Sequence, residues 1–134
     1  MVKQLGKLFN KLGAEAQGHY RHKAAIFQHE QKLAICTIEK ANSMINQMIA
    51  EGKLNDIGMI VIDELHMIND QSRGYLLEIL LTKIMYYVEI KKYNIQLVGM
   101  SATIPNIEDL AKWLKASLYQ ADVRPIPLYE YVLY

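Results

Sequence analysis

The sequence predicts an α/β domain in which helices cover both faces of a parallel β-sheet. Three apolar runs, at residues 33–36, 57–62 and 95–100, lack the polar–apolar alternation of a half-exposed strand. Such runs are typical of strands buried on both faces of a parallel sheet. A segment with helical spacing follows each run, and this order implies right-handed crossovers between parallel strands.

The other elements follow from apolar spacing and from turn residues. Apolar residues within 2–12 recur every three or four positions before Gly13, which predicts a short amphipathic helix. The remaining expected elements are a brief strand within 14–20, helices at 37–52 and 74–88, and a helix that starts near Pro105 and Asn106. Pro125 and Pro127 make residues 124–134 an extended segment, because proline is incompatible with a helix interior.

Composition restricts the class of protein more than its function. The chain has 134 residues, 51% of them apolar, and a formal net charge of +1, so we expect at most one folded domain and no global positive field for nucleic acid. No run approaches the roughly 18 apolar residues of a membrane-spanning helix. The single Cys36 excludes a disulfide within the chain, and its apolar neighbours predict a buried structural thiol.

Polar side chains follow all three predicted strands. Thr37 follows the first, Asp63 and Glu64 follow the second, and Ser101 and Thr103 follow the third. Because the carboxyl ends of parallel strands meet at one edge of a sheet, we expect these side chains to converge there. A pair of carboxylates at such an edge can hold a magnesium ion and orient a water molecule.

Each of these polar residues also has a purely structural explanation. Asp63 and Glu64 could be the N-cap and the first-turn acid of the following helix. Ser101 and Thr103 could be ordinary turn residues before a proline. His66, taken by itself, would be an ordinary loop histidine, so the assignment depends on all of these residues occurring together.

Four segments carry a resemblance to a known family. They are Cys36-Thr-Ile-Glu-Lys-Ala-Asn42, Asp63-Glu-Leu-His66, Arg73-Gly-Tyr-Leu-Leu-Glu78 and Gly99-Met-Ser-Ala-Thr103. These segments resemble motif Ib, motif II, the helix after it and motif III of superfamily-two helicases of the Ski2-like group. Within that group the likeness is greatest to the helicase domain of DNA polymerase theta and its helicase-only relatives.

The resemblance implies a partial RecA-like domain of the P-loop NTPase type. Residues 1–123 would form the C-terminal part of the first RecA-like helicase domain. Residues 124–134 would form an extended segment that leads toward a second RecA-like domain.

The resemblance implies ATP hydrolysis at the acidic segment. Asp63 resembles the acid that holds the magnesium ion of MgATP through water, and Glu64 resembles the catalytic base that deprotonates the attacking water. His66, Ser101 and Thr103 are similar to residues that couple hydrolysis to strand separation, which short hydroxyl side chains can do by exchanging hydrogen bonds.

The resemblance also implies DNA as the partner. Thr37, and Lys40 with it, resemble the end of motif Ib that contacts the backbone of single-stranded nucleic acid. The implied protein is a nuclear, DNA-stimulated ATPase and helicase that acts on single-stranded or partly duplex DNA during repair. Arg73 has no assigned chemistry, and a structural and a functional role are equally compatible with its position.

One segment that such ATPases need does not occur in this sequence. The phosphate-loop pattern Gly-x-x-x-x-Gly-Lys-Ser/Thr is absent from the 134 residues. We therefore expect the chain to be inactive by itself and to belong to a longer helicase. The alternative is a short, non-catalytic product that serves as an interaction module for single-stranded DNA or for another protein.

Overall fold

The computed structural model describes residues 16–19, 33–102, 104–121 and 131. The chain divides into two compact units, Met1–Ile104 and Pro105–Tyr134. The first unit contains, in chain order, β1 (Ala16–His19), β2 (Leu33–Cys36), α1 (Ile38–Ala50), β3 (Met59–Ile62), α2 (Gly74–Glu89) and β4 (Gln96–Gly99). The second unit contains α3 (Ile107–Trp113). The helix predicted within 2–12 and the tail at 124–134, apart from Tyr131, lie outside the described residues.

The predicted helices and strands that fall on described residues are confirmed. Two short 3-10 helices, Leu54–Asp56 and Leu65–Asn69, occur in addition to them. α1 begins after Thr37, whose hydroxyl oxygen accepts a hydrogen bond from the Lys40 N–H (3.5 Å). A threonine at this position satisfies one of the backbone donors that the first turn of a helix leaves without an intrahelical partner.

The described strands form two separate two-stranded parallel sheets. β1 pairs with β2, and β3 pairs with β4 in a register that places Ile62 opposite Gly99. The parallel direction agrees with the prediction, but the expectation that three strand ends share one sheet edge is wrong for Thr37. This residue follows β2, whose described partner is β1. The expectation failed because the order of strands along the chain does not determine which strands pair.

The core of the first unit lies between α1, α2 and β3. Its buried members are Ile45, Met48, Leu54, Leu80, Ile84 and Ile95, and Ile60 of β3 packs against them. The members on each helix are three or four positions apart, so they share one face of that helix. Removal of these apolar faces from water supplies stability that helices of this length lack in isolation.

Within the described part of the protein, β3 is covered on one face only. Met59 and Val61 remain 52% and 54% exposed, whereas Ile60 packs against the core. The prediction that helices cover both faces of this strand is therefore wrong for the described residues. An apolar run shows that a strand can be buried, but it does not show that an element lies over each face.

Polar side chains join α1 to α2 alongside the apolar core. The side-chain amide of Asn42, which is buried, donates a hydrogen bond to the Leu76 carbonyl oxygen (2.8 Å). Lys83 Nζ donates to the side-chain oxygens of Asn42 (3.1 Å) and Asn46 (2.7 Å). Because a buried polar group without a partner is costly, these bonds fix the rotation of one helix relative to the other.

Gly74 lets α2 begin against the 3-10 helix Leu65–Asn69. A Cβ atom at this position would overlap the Ile68 carbonyl oxygen and lie 2.9 Å from the Ile68 carbonyl carbon. Backbone atoms cannot move aside as a flexible side chain can. Glycine is therefore needed here because of the space that the neighbouring turn leaves.

We expect Gly74→Ala to destabilise α2 by about 1–3 kcal/mol, because the added methyl group forces the helix away from the preceding turn. Native-state hydrogen exchange in the intact protein should show faster exchange of the α2 amides. The matched control is Gly58→Ala, since a Cβ at Gly58 would meet nothing within 4 Å. Equal exchange of the α2 amides in the two variants would contradict the close contact at Gly74.

Candidate active site

Backbone hydrogen bonds hold the loop after β3 beside the loop after β4. The Met100 N–H donates to the Ile62 carbonyl oxygen, and the Leu65 N–H donates to the Met100 carbonyl oxygen, both at 2.8 Å. The buried Leu65 side chain packs over Gly99, where an added Cβ would lie 2.6 Å from Leu65 Cδ2. Parallel pairing thus continues past the ends of both strands.

The two predicted catalytic acids lie on the surface of the loop after β3. Both are exposed, and the Glu64 N–H donates to Asp63 Oδ1 (3.0 Å). Glu64 has φ 57° and ψ 45°, a left-handed conformation that is uncommon for residues other than glycine. It occupies the N-cap of the 3-10 helix Leu65–Asn69, yet its side chain makes no capping hydrogen bond. Helix capping therefore does not account for this glutamate.

His66 contacts both loops through one ring nitrogen. Its Nδ1 accepts a hydrogen bond from the Ala102 N–H (3.3 Å) and lies 3.4 Å from Glu64 Oε2. One nitrogen cannot serve both partners at once. With a lone pair it accepts from Ala102, and with a proton it can donate to Glu64. The imidazole therefore links the acidic segment to the backbone of the predicted coupling segment.

Ser101 lies in the loop after β4, as predicted. Its Oγ donates to the Ala102 carbonyl oxygen (2.8 Å), so this hydrogen bond stays within the loop itself. The link to His66 comes from the Ala102 backbone, which the sequence analysis did not single out. Thr103, the other predicted coupling residue, lies outside the described residues.

Thr37 and Lys40 lie together in the first turn of α1. Thr37 is exposed and Lys40 is half-buried. Burial raises the pKa of the neighbouring Cys36 thiol, and the positive charge of Lys40 partly opposes that shift. A thiol with a raised pKa stays protonated at neutral pH, as expected of a structural cysteine rather than a reactive one.

An ion pair that the sequence analysis missed connects α1 to the region after the acidic segment. Arg73 Nε donates to Glu39 Oε1 (2.9 Å), and Arg73 Nη2 lies 2.8 Å from the same oxygen. A hydrogen bond from the Thr37 hydroxyl is the largest of the effects that hold the pKa of Glu39 below its usual value. The partners are 34 residues apart, so no local pattern could have indicated the contact.

Asp70 organises the turn between the 3-10 helix Leu65–Asn69 and α2. Its Oδ1 accepts hydrogen bonds from the Ser72 hydroxyl (2.7 Å), the Ser72 N–H (2.9 Å) and the Arg73 N–H (2.8 Å). The bond from the Ser72 hydroxyl contributes most to lowering the pKa of Asp70. This carboxylate therefore holds the backbone that carries Arg73.

The donor set after β3 suits a magnesium ion better than a metal held entirely by protein. Across residues 33–102 and the other described segments, no group of three or more His, Cys, Asp or Glu side chains could hold a metal ion. Magnesium keeps several waters and commonly takes one or two carboxylates together with substrate phosphates. The exposed carboxylate of Asp63 fits such a contact.

In the described part of the chain, no helix is long and apolar enough to cross a membrane.

The sequence pattern of the DEAD/DEAH box helicase family matches residues 1–110. The chain belongs to this family. DEAD/DEAH helicase domains have a RecA-like α/β fold, and the parallel pair β3–β4 with its packed helices is consistent with part of such a domain.

Relatives of this DEAD/DEAH box helicase chain confirm its likeness to Ski2-like DNA helicases. DNA polymerase theta of Mus musculus is 43% identical over 94% of the chain, and the human protein "Helicase POLQ-like" is 44% identical over 78%. The ATP-dependent DNA helicase Hel308 of Methanocaldococcus jannaschii is 46% identical over 72% of the chain. The aligned regions span only 5%, 9% and 7% of these three relatives.

The lowered pKa of Asp70 predicts a pH-dependent turn in this DEAD/DEAH box helicase chain. Its stabilising contribution should be present above about pH 4 and be lost as the pH falls through the folded-state pKa, because the protonated carboxyl is a weaker acceptor. Hydrogen exchange of the Ser72 and Arg73 amides, corrected for intrinsic rates, should be slower in the wild type than in Asp70→Asn at pH 7. The difference in exchange rate between wild type and Asp70→Asn should vanish once the pH is below the folded-state pKa of Asp70.

The control for this experiment is Asp56→Asn, which removes an exposed acid from the separate 3-10 helix Leu54–Asp56. That variant should leave exchange in the Asp70 turn unchanged at both pH values. A difference between wild type and Asp70→Asn that does not depend on pH would contradict the role of the charged carboxylate.

Proposed function

We propose that this chain is part of an ATP-dependent DNA helicase, a DNA-stimulated ATPase that acts in DNA repair. The observation that carries the proposal is the pairing of the two loops. Glu64 and the Ala102 N–H both lie next to the His66 imidazole, at 3.4 Å and 3.3 Å. In an ATPase, a contact of this kind would let a change at the acidic segment, such as ATP hydrolysis, alter the loop after β4.

Asp63 and Glu64 have different roles in the proposed hydrolysis. Asp63 would hold the magnesium ion of MgATP, and Glu64 would orient and deprotonate the attacking water. A bound magnesium ion would neutralise charge on the phosphate oxygens. The exposure of both carboxylates and the absence of a capping bond from Glu64 support this assignment.

His66, Ser101 and Thr103 couple hydrolysis to strand separation in this proposal. His66 supports the role most directly, because its Nδ1 has one partner in each loop. A change at Glu64 alters the partner available to His66 and thereby the hydrogen bond to the Ala102 backbone. Ser101, two residues after the end of β4, lies in the loop whose backbone such a change would affect.

Thr37 and Lys40 contact the DNA backbone in the proposed function. Thr37 is exposed at the start of α1, a helix of 13 residues, and phosphate groups are favoured at helix N-termini by free N–H groups and the helix dipole. Contacts of this kind position a strand without reading its sequence. In this proposal the partner is single-stranded or partly duplex DNA and the cellular site of action is the nucleus, both as the resemblance to DNA-repair helicases implies.

The remainder of the helicase supplies what this sequence lacks. The chain contains no phosphate-loop pattern, so the 134 residues do not hydrolyse ATP by themselves. In this assignment residues 1–123 are the C-terminal part of the first RecA-like domain, and residues 124–134 lead toward the second. The catalytic site then depends on phosphate-binding groups outside these residues.

We expect Glu64→Gln, made in the intact helicase, to reduce DNA-stimulated ATP hydrolysis by about 10²–10⁴-fold, because the amide cannot accept a proton from water. Binding of ATP, measured with a fluorescent nucleotide, should be retained. The control is Glu78→Gln, which removes an exposed acid from α2 and should leave both quantities unchanged. Unchanged turnover in Glu64→Gln would refute the assigned role of this residue.

A second candidate function is an interaction module formed by a short product. The half-exposed Met59 and Val61 on one face of β3 favour a partner protein over that face. Binding of labelled single-stranded DNA to the isolated 134 residues, at two salt concentrations, tests the DNA version of this role. Absence of salt-sensitive binding would count against it, because phosphate contacts release counterions.

A further inference from the structure

The ion pair between Arg73 and Glu39 lies between the two proposed functional segments. Two nitrogens of the Arg73 guanidinium approach one carboxylate oxygen of Glu39, at 2.9 Å and 2.8 Å. The side chains are 45% and 50% exposed, so the pair lies at the surface. Exposed ion pairs add little to the free energy of unfolding. A role for this pair would therefore come from the segments that it holds together.

On one side, the pair reaches the proposed DNA-contacting turn. Glu39 is in the first turn of α1, two residues after the N-cap residue Thr37. The Arg73 guanidinium is thus tied, through Glu39, to the turn that carries Thr37. Loss of Arg73 or of Glu39 would leave the position of this turn less restricted.

On the other side, the pair reaches the segment that follows the proposed catalytic acids. The Arg73 N–H donates to Asp70 Oδ1 (2.8 Å), and the Gly74 N–H donates to the Asp70 carbonyl oxygen (2.9 Å). Asp70 directly follows the 3-10 helix Leu65–Asn69, which includes His66. A movement of that helix is therefore transmitted to the base of the arginine side chain.

Further along the same helices, Asn42 and Lys83 already fix α1 against α2. Asn42 bonds to the Leu76 carbonyl oxygen at 2.8 Å, and Lys83 bonds to Asn42 and Asn46 at 3.1 Å and 2.7 Å. These contacts do not depend on the ion pair. Removing the charge of Arg73 should thus change the first turn of α1 without separating the helices.

We propose that Arg73 is a positioning residue that, through Glu39, couples the DNA-contacting turn at Thr37 to the ATP-hydrolysing segment that contains His66. The proposal rests on the proposed function of the site. Arg73 touches neither DNA nor nucleotide in this scheme, and it acts by holding Glu39 and, with it, the first turn of α1 that follows Thr37.

The test is a double-mutant cycle in the intact helicase with Arg73→Gln, Glu39→Gln and the double variant. We expect each single variant to raise the concentration of single-stranded DNA that gives half-maximal ATPase stimulation by about two- to fivefold, the range open to an exposed ion pair. ATP hydrolysis without DNA should be unchanged. The double variant should be no worse than either single variant, because all three lack the same interaction.

The matched control is the ion pair between Lys53 and Glu51, which has the same N–O distance of 2.8 Å and similarly exposed side chains. It joins residues two positions apart at the opposite end of α1. Lys53→Gln removes one charge there and should leave the DNA dependence unchanged. An equal change in this control would overturn the proposal.

The proposal is also overturned if Arg73→Gln leaves the DNA dependence unchanged, or if the two single effects multiply in the double variant. Equal loss of basal and stimulated hydrolysis would overturn it as well, because that is the result of general structural damage. Failure of the proposed function has a different signature. In that case the wild-type helicase itself shows no stimulation by single-stranded DNA.

Discussion

The parallel pairing of β3 with β4 is the constraint on which the candidate site depends. It brings two loops that are distant in sequence to the same edge, and the hydrogen bonds through Met100 extend that pairing to Leu65. Only then can the His66 imidazole reach the Ala102 backbone. Without this pairing, Asp63 and its neighbour would form an exposed acidic turn with no fixed surroundings. The chemistry of the site is therefore a property of two strands together.

Structural features that depend on residues close together in the sequence were predictable, such as helices marked by apolar residues every three or four positions. The apolar spacing predicted α1 and α2 with nearly their observed bounds, since helical spacing is a local property. The position of the acidic pair after β3 was predictable for the same reason, because the apolar run and the two carboxylates that follow it lie within a few residues of each other. The unshielded face at Met59 and Val61 was not, since burial of a strand depends on other parts of the chain.

Polar contacts between distant segments were beyond the reach of sequence patterns. Nothing near Arg73 indicates Glu39 as its partner, because hydrogen bonds and ion pairs leave no periodic trace in either segment. The same holds for the bond of Asn42 to the Leu76 carbonyl. In both cases the family resemblance marked the segments, and the fold showed that they meet. Motif likeness and tertiary contact thus carry different information about the same residues.

The left-handed backbone of Glu64 makes the geometry of this acid conditional on its surroundings. A residue other than glycine held in such a conformation costs of order 1–3 kcal/mol, which neighbouring contacts must offset. The next residue, Leu65, supplies such a contact through its N–H bond to the Met100 carbonyl oxygen (2.8 Å). If the Met100 backbone shifted, Glu64 would lower its energy by rotating toward the right-handed region, and its carboxylate would swing with it. The acid can therefore be taken out of alignment by a change that never touches it.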